Sequence, residues 1–348
     1  MLNLIRIILS PLTFVYAFII RARNYLFDKG IFKISKVNAY VISVGNLTVG
    51  GSGKTPAVIF LAEILKKYNK KIGVLSRGYG RNSYGYIYVS DGNKIFSTVD
   101  ECGDEMYLVS DELKVPTAVS ERRVVGAKRL INNSGVNIIL LDDAFQHRWL
   151  YRNLDIVMID QRFLLKTNSI EQKILPLGLM REPFESLSRA DIIIINRKFS
   201  ENANIPDKLL DLFHNKLVFL GSYLATGILD VKSHHEFTVE EFQGQKSLVV
   251  CGIARPHSFL NVLENNKIDI RNKMLFPDHK NYTLKEIQDI RKKFYDTNAT
   301  CVLTTQKDAV KLFKFTKDLD DIDIYFLKIK LVLDNQEEFE RLLINRIN

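Results

Sequence analysis

The sequence predicts an α/β protein in which a parallel sheet is followed by a second, smaller α/β unit. Two observations lead to this fold class. Nearly continuous apolar runs of strand length alternate with helical segments, which is typical of strands buried on both faces of a parallel sheet. In addition, a chain of 348 residues is too long for one small core and suits two domains.

The apolar runs define the strands of the first unit. A polar residue ends or follows each of them, and ligands of open α/β sheets bind outside the carboxyl ends of the strands, so the chemistry is expected at that edge. The last of these ends, residues 196–198, is interpreted as a solvated loop. The predicted strands are Val41–Val44, Ile72–Leu75, Ile138–Leu141, Ile156–Ile159 and Ile192–Ile195, with Asn46, Ser76, Asp142, Asp160 and Asn196 as the polar residues.

A polar connection, residues 226–245, is predicted to lead into the second unit. Beyond it, Ser247–Gly252 and Thr300–Thr304 have the composition of strands, with helical patterns between and after them. Residues 161–190 lack a strong period and contain proline and glycine, so this stretch is predicted to be a long loop. Long loops in compact domains are often functional lids.

The N-terminus carries the apolar run Ile7–Ile20, bracketed by arginines. This run is shorter than the roughly 20 apolar residues that span a bilayer. Its pattern predicts a helix with a narrow polar face, and such a helix can lie in the headgroup layer of a membrane. Residues 1–23 are therefore predicted to form a membrane-surface helix; the alternative is a helix packed on its own protein. The polar face comprises Asn3, Arg6, Ser10 and Thr13, and the opposite face Leu4, Ile8, Leu12 and Val15.

The composition is that of a globular protein, with 46% hydrophobic and 26% charged residues. The formal net charge of +9 suits nucleic acid, an anionic membrane or a phosphorylated substrate. Because the aromatic residues do not interleave with a basic stripe, no nucleic-acid partner is expected, and no obligate protein partner is evident. The cysteines Cys102, Cys251 and Cys301 are expected to be buried free thiols of a cytosolic catalytic part.

A glycine-rich segment between a predicted strand and a helical run is the strongest functional signal. It predicts a phosphate-loop NTPase-like sheet domain, because glycines let backbone N–H groups meet phosphate oxygens at a helix N-terminus. Lys54 is expected to reach the β- and γ-phosphates, and the Thr55 hydroxyl to bind Mg²⁺. The strict pattern has glycine where Thr48 stands. The predicted ATP-binding residues are Thr48, Val49, Gly50, Gly51, Ser52, Gly53, Lys54 and Thr55.

Acidic residues supply the remaining candidates. Asp142 and Asp143 directly follow a buried strand, where phosphate-loop proteins hold Mg²⁺, although one of them could simply cap the next helix. Asp104, in Gly103-Asp104-Glu105, is a candidate base for an acceptor hydroxyl. His279, in Phe276-Pro277-Asp278-His279, lies in a predicted loop of the second unit, where a lone histidine is more often structural.

Together these motifs resemble the tetraacyldisaccharide 4'-kinase family, the lipid A 4'-kinases of Gram-negative bacteria. The similarity covers nearly the whole chain and keeps the order of the family's motifs. Two positions depart from the family pattern, Ser52 for threonine and Ala144 for glycine. The matching segments are Gly45–Pro56, Ser76–Arg81, Gly103–Glu105, Asp142–His147, Arg181–Pro183, Phe276–His279 and Thr305–Lys311.

The resemblance implies a kinase that transfers the γ-phosphate of ATP to the 4'-hydroxyl of a tetraacyldisaccharide 1-phosphate. It implies a catalytic dyad of Asp104 and His279, Mg²⁺ held by Glu105, Asp142 and Asp143 with Thr55, and a cleft between the domains. It also implies a peripheral or monotopic position at the cytoplasmic face of the inner membrane. The predicted domains are the kinase domain (24–225), a short β linker (226–245) and the smaller α/β domain (246–348).

Two other functions fit parts of the pattern. A membrane-associated regulatory ATPase has a phosphate loop that begins with lysine, and this chain has Val49 at that position. A cytosolic small-molecule kinase would bury the N-terminal helix. Vesicle partitioning separates that second alternative from the lipid kinase.

Overall fold

The computed structural model describes residues 10–167, 169–278 and 280–348. In these ranges thirteen strands form one sheet, in the order β11-β10-β12-β13-β8-β7-β6-β1-β5-β2-β4-β3, with β9 paired to β8. The strands are β1 (Tyr40–Gly45), β2 (Ile72–Ser76), β3 (Ile87–Asp91), β4 (Pro116–Val119), β5 (Ile138–Asp142), β6 (Leu154–Asp160), β7 (Ile192–Asn196), β8 (Leu217–Asp230), β9 (Glu236–Phe237), β10 (Ser247–Cys251), β11 (Asn272–Leu275), β12 (Cys301–Thr305) and β13 (Ile324–Leu333).

The five strands predicted for the first unit are confirmed, and they pair in parallel as β7-β6-β1-β5-β2. Their side chains are buried throughout because helices cover both faces of the sheet. The helices of the described residues are α1 (Ser10–Asp28), α2 (Lys54–Lys67), α3 (Val99–Cys102), α4 (Asp104–Leu113), α5 (Arg123–Ser134), α6 (Gln161–Leu165), α7 (Asp207–Leu210), α8 (Pro256–Asn265), α9 (Leu284–Asp296), α10 (Gln306–Leu312) and α11 (Gln336–Ile347).

The two halves of the molecule share one continuous sheet. Strand β8 pairs in parallel with β7 of the first half and antiparallel with β13 of the second. The segment predicted as a β linker, 226–245, contains the last residues of β8, 226–230, followed by short irregular turns and β9. The 14-residue strand β8 could not be recognised in the sequence, because its buried and exposed residues do not alternate regularly where it crosses between the halves.

The C-terminal helix α11 packs on the first half, although the sequence prediction placed it in the domain 246–348. Phe339 and Leu343 are fully buried in the same core as Phe60 of α2. The ring centroids of Phe60 and Phe339 lie 5.7 Å apart. The chain therefore returns to the kinase half after completing the second one, and the proposed domain boundaries remain a prediction.

Helix α1 turns Tyr16 and Arg23 toward the protein and exposes most apolar side chains of its first half, whereas Ile20 and Phe27 are buried. The Tyr16 hydroxyl donates to the carbonyl of Arg181 at 3.1 Å, and Arg23 forms an ion pair with the fully buried Glu182. The exposed side chains include Phe14 at 79% and Phe18 at 72%. This confirms the predicted faces for the described part of the helix, since Leu12 and Val15 are exposed; residues 3 to 8 of that pattern lie outside the described residues.

The predicted long loop, 161–190, is largely irregular in its described part, with α6 and short 3₁₀ turns. It serves as the platform for α1. In the described ranges no helix is both long and apolar enough to cross a bilayer.

Candidate active site

The glycine-rich segment leaves β1 at Gly45 and opens α2 at Lys54, as the sequence predicts. Gly50 and Gly53 have φ near +95°, a conformation that disfavours other residues. At Gly53 a side chain is also sterically excluded, since a Cβ would lie 2.2 Å from the Tyr223 hydroxyl and 2.4 Å from Asn196 Nδ2. These turns let the loop present its backbone N–H groups at the start of α2.

Thr48 lies outside the part of the loop that faces the cleft. It is 9% exposed and forms a bridge to Met180 of the long loop. Its φ is not among the positive ones, so the glycine of the strict pattern is not needed there. The predicted role of Thr48 in ATP binding therefore has no direct support from its position, whereas Val49 to Thr55 all line the cleft.

Polar side chains support the phosphate loop from behind. Asn46 Nδ2 donates to Ser52 Oγ at 2.8 Å, Asn196 Nδ2 donates to the Ser52 carbonyl at 3.2 Å, and Lys198 Nζ donates to the Gly51 carbonyl at 2.8 Å. Both Asn196 and Lys198 are buried. The interpretation of residues 196–198 as a solvated loop is wrong for these two side chains, because the neighbouring strand end brings them under the loop.

Asp143 lies between two cations at the carboxyl end of β5. Arg181 binds it with both guanidinium nitrogens at 2.8 and 3.0 Å, and Lys54 Nζ lies 3.7 Å away. Burial acts to raise the pKa of Asp143, but Lys54 and Arg181 outweigh it and hold the pKa at about 2. Asp143 is therefore ionised and orients the lysine of the phosphate loop.

Asp142, one residue earlier, has the opposite electrostatic setting. It is 1% exposed, and its Oδ1 has no hydrogen-bond partner among the described residues. Burial, followed by the negative charges of Glu105 and Asp143, raises the pKa of Asp142 well above its usual range. The left-handed residue of this turn is Asp143, with φ of 50°, so the alanine at position 144 meets no backbone strain.

Asp104 and Glu105 begin α4 and face cations of the second half. Lys311 Nζ lies 3.0 Å from Asp104 Oδ2, and Lys307 Nζ donates to Glu105 at 3.0 Å. Both groups of the Lys311–Asp104 pair are buried, with 7% and 6% side-chain exposure. Burial would lower the pKa of Lys307, but Glu105, Asp104 and Asp278 outweigh that effect and raise it.

These groups surround one cleft of about 740 Å³ between the two halves. His279, the second member of the predicted dyad, lies outside the described residues, although Asp278 before it lines the cleft. Asp104 and Asp142 lie beneath the cleft surface. Of the other predicted residues, Val49 to Thr55, Glu105 and Asp143 line it.

The predicted magnesium ligands do not form a ready-made metal cage. Among the described residues, no three histidine, cysteine, aspartate or glutamate side chains come together as a metal-binding group. Two of the predicted ligands are instead paired with cations: Asp143 binds Arg181, and Glu105 binds Lys307. Asp142 Oδ1 accepts no hydrogen bond from any residue that the structure describes.

Comparison with known proteins identifies the family. The model of the family "Tetraacyldisaccharide-1-P 4'-kinase" matches residues 5–348. The chain belongs to this family. It is therefore a kinase, and its membership favours the predicted lipid A 4'-kinase function over the regulatory ATPase and the small-molecule kinase.

Curated relatives and a solved structure agree with this membership. The tetraacyldisaccharide 4'-kinase of Halothermothrix orenii is 35% identical over 350 residues, which cover 95% of this chain and 90% of the relative. The protein of the same name from Aquifex aeolicus is 33% identical, with 98% of each chain covered. The crystal structure of LpxK from Aquifex aeolicus in complex with ATP superposes with a TM-score of 0.80 at 31% identity and covers 99% of this chain and 100% of that one.

Several residues of this 4'-kinase site had no role in the sequence prediction. Arg181 belongs to a matched motif, but only the structure shows that it binds Asp143. Lys307 and Lys311 likewise belong to the matched segment Thr305–Lys311, and their four-residue spacing places both on one face of α10. That spacing was the available signal, whereas nothing in the sequence indicated the role of Lys198.

Proposed function

We propose that the chain transfers the γ-phosphoryl group of ATP to the 4'-hydroxyl of a tetraacyldisaccharide 1-phosphate, a step of lipid A biosynthesis. One observation carries the proposal: the phosphate loop and Glu105, at the acidic start of α4, line the same cleft, with Asp104 next to Glu105 in the chain. A phosphate donor and an acceptor hydroxyl can therefore meet between Lys54 and Asp104. Such positioning, together with stabilisation of charge, supplies most of the rate in phosphoryl transfer.

The phosphate loop would bind ATP. Its backbone N–H groups and the N-terminus of α2 attract anionic oxygens, and Lys54 adds a full positive charge at the site of transfer. Asp143 orients Lys54 but leaves it able to turn to a phosphate, because their separation of 3.7 Å is longer than a hydrogen bond. The Aquifex aeolicus relative was crystallised with ATP, which supports the same donor here.

Asp142 and Thr55 would hold Mg²⁺. Within the part of the chain that the structure describes, the buried Oδ1 of Asp142 has no hydrogen-bond partner, and the negative charges around it favour a cation. A carboxylate and a hydroxyl are suitable oxygen ligands for Mg²⁺, which would neutralise phosphate charge when bound. Glu105 and Asp143 would contribute negative charge near the ion.

Asp104 and His279 would take the proton from the acceptor hydroxyl. Lys311 holds the Asp104 carboxylate beneath the cleft from the other half of the molecule. A sugar hydroxyl is a weak nucleophile, and a positioned base typically contributes about 10²–10⁴-fold in rate. Asp278, the neighbour of His279, lines the same cleft.

Helix α1 would place the cleft at a membrane, on the cytoplasmic face of the inner membrane. Its ion pair to Glu182 and its contacts from Thr13 and Tyr16 hold the polar side on the protein. Its phenylalanines remain exposed, as in helices that lie at the headgroup boundary. A lipid substrate could then enter without leaving the bilayer completely.

Incubation with labelled ATP, Mg²⁺ and the tetraacylated disaccharide 1-phosphate in detergent tests the function. We expect label on the 4'-oxygen of the sugar, located by mass spectrometry. ATP hydrolysis without transfer would favour a regulatory ATPase, and label on another hydroxyl would refute the proposed regiochemistry. Lys67→Ala is a suitable active control for a variant of Lys54, since Lys67 lies at the other end of α2 and pairs with Glu340.

A further inference from the structure

A charged network crosses the cleft behind the phosphate loop. Asp160 ends β6 in the first half, and its Oδ2 accepts from Lys198 at 2.8 Å and from Arg255 at 2.5 Å. The carboxylate is 4% exposed, and the side chain of Lys198 is 10% exposed. Arg255 belongs to the second half, where it directly precedes α8. Buried charges of this kind are stable only when they are paired and hydrogen-bonded.

The network ends on the phosphate loop itself. Lys198 Nζ also donates to the carbonyl of Gly51, at 2.8 Å. The backbone of Lys198 is left-handed, with φ of 56°, and its N–H donates to Asn196 Oδ1 at 2.9 Å. A strained backbone conformation at a lysine persists only where its surroundings demand it. In this protein the left-handed backbone of Lys198 directs its side chain to both the Asp160 carboxylate and the Gly51 carbonyl.

The contacts that α10 makes across the cleft end on a different element. Lys307 and Lys311 of α10 bind the acidic start of α4, and Gln306 binds Glu112 of the same helix. Arg255, in contrast, reaches the nucleotide-binding loop through two intermediates. The placement of the second half is thereby connected to the backbone geometry of residue 51.

We propose that Asp160, Lys198 and Arg255 form an inter-half latch that holds the phosphate loop in its nucleotide-binding shape. Asp160 and Lys198 are positioning residues: they act on the nucleotide through the Gly51 carbonyl. Arg255 completes the latch only while the second half is docked. The latch therefore couples docking to nucleotide affinity, a coupling that rests on the proposed use of ATP but not on the identity of the acceptor.

A double-mutant cycle tests the latch. We expect Arg255→Gln and Asp160→Asn each to weaken binding of Mg²⁺-ADP roughly tenfold, the size of one charged hydrogen bond. The double variant should be no weaker than the poorer single one, because both changes break the same network. Asn at position 160 keeps the Oδ1 acceptor that caps α6, which limits damage to the fold.

Binding is measured by calorimetric titration without lipid, and folding by the thermal midpoint. Arg271→Gln is the matched control, since the side chain of Arg271, also in the second half, is 81% exposed and pairs with the nearby Asp269. Arg255→Lys should recover part of the affinity, because a cation at this position can still reach Asp160.

Additive losses would overturn the proposal, since they would mean that Arg255 touches the nucleotide independently of Asp160. Unchanged affinity in Asp160→Asn, or a lower thermal midpoint with unchanged affinity, would overturn it as well. Nucleotide binding without lipid tests the latch separately from the proposed function. If the unmodified enzyme transferred no phosphate to the lipid, the proposed function would be refuted, and the latch would still be tested by nucleotide affinity.

Discussion

The two walls of the cleft are held in different ways. The phosphate-loop wall, residues 49–55 with Asp143 and Arg181, depends on contacts inside its own half, from Asn46, Asn196 and Lys198. The facing wall, formed by α10 and Arg255, makes its charged contacts across the cleft. The first wall therefore rests mainly on its own half and is linked to the second half through the Asp160–Arg255 pair, while α10 acts on the site only when the halves are docked.

Because the walls are held differently, we expect changes in them to affect different kinetic quantities. Changes in the phosphate-loop wall should affect the phosphate donor directly. Changes in α10 should alter steps that need both halves, so their main effect should be on kcat, whereas a change of Arg255 should also weaken nucleotide binding through Asp160 and Lys198. Local opening is also expected to begin at the contacts between the halves, because they are the contacts that docking can break.

The largest expected effect is that of Lys54→Ala. The lysine faces charge that develops on the transferred group, so its removal should lower kcat by about 10³-fold or more. The folded state should survive, because the ion pair that Lys54 makes among the described residues is long, at 3.7 Å. Steady-state transfer assays at saturating ATP would measure the loss, and unmodified turnover in a folded variant would refute the phosphate-loop mechanism.

The next effect concerns Asp104 and His279. Each alanine variant should lower kcat by about 10²–10⁴-fold, and the double variant should be little worse than the poorer single one, because the two act as a unit. Affinity for ATP should hardly change. Steady-state measurement of kcat for the two single variants and the double variant tests this expectation. Multiplicative losses would assign the two residues independent roles.

A smaller loss is expected for Lys311→Met, which tests the facing wall. The change removes the cation 3.0 Å from Asp104, and we expect kcat to fall about 10–100-fold while the KM for ATP stays constant. Lys317→Met is the control, since Lys317 lies nearby on the chain and is exposed. A changed KM for ATP with normal kcat would show that Lys311 acts on the donor side instead.

The smallest effect on the chemistry is expected from the double change Phe14→Ser and Phe18→Ser. Both side chains are exposed, so the substitutions keep the anchoring pair Arg23–Glu182, which a deletion of residues 1–23 would remove. Sedimentation with anionic vesicles should fall, and the KM for the lipid should rise, while kcat in detergent stays near normal. Undiminished vesicle binding would mean that the basic surface, rather than α1, is the main anchor.

The regular parts of the fold could be predicted because they rest on local patterns. Continuous apolar runs identified the five parallel strands, and the strand–glycine loop–helix order identified the phosphate loop with Lys54 at the start of α2. The long strand β8 and the return of α11 to the first core could not be predicted this way. Both depend on partners far away in the chain, β13 for the strand and Phe60 for the helix.

The sequence by itself determined the kind of chemistry. Residue types at short spacings specified phosphate binding, the acidic strand end at Asp142 and Asp143, and the two faces of α1, because backbone geometry repeats at those spacings. Only the tertiary structure decided how the charges are paired. In the folded protein Asp143 pairs with Arg181, Asp104 with Lys311, and Asp160 with Lys198 and Arg255. An ion pair depends on distance in space and on burial, and neither of these follows a local period in the sequence.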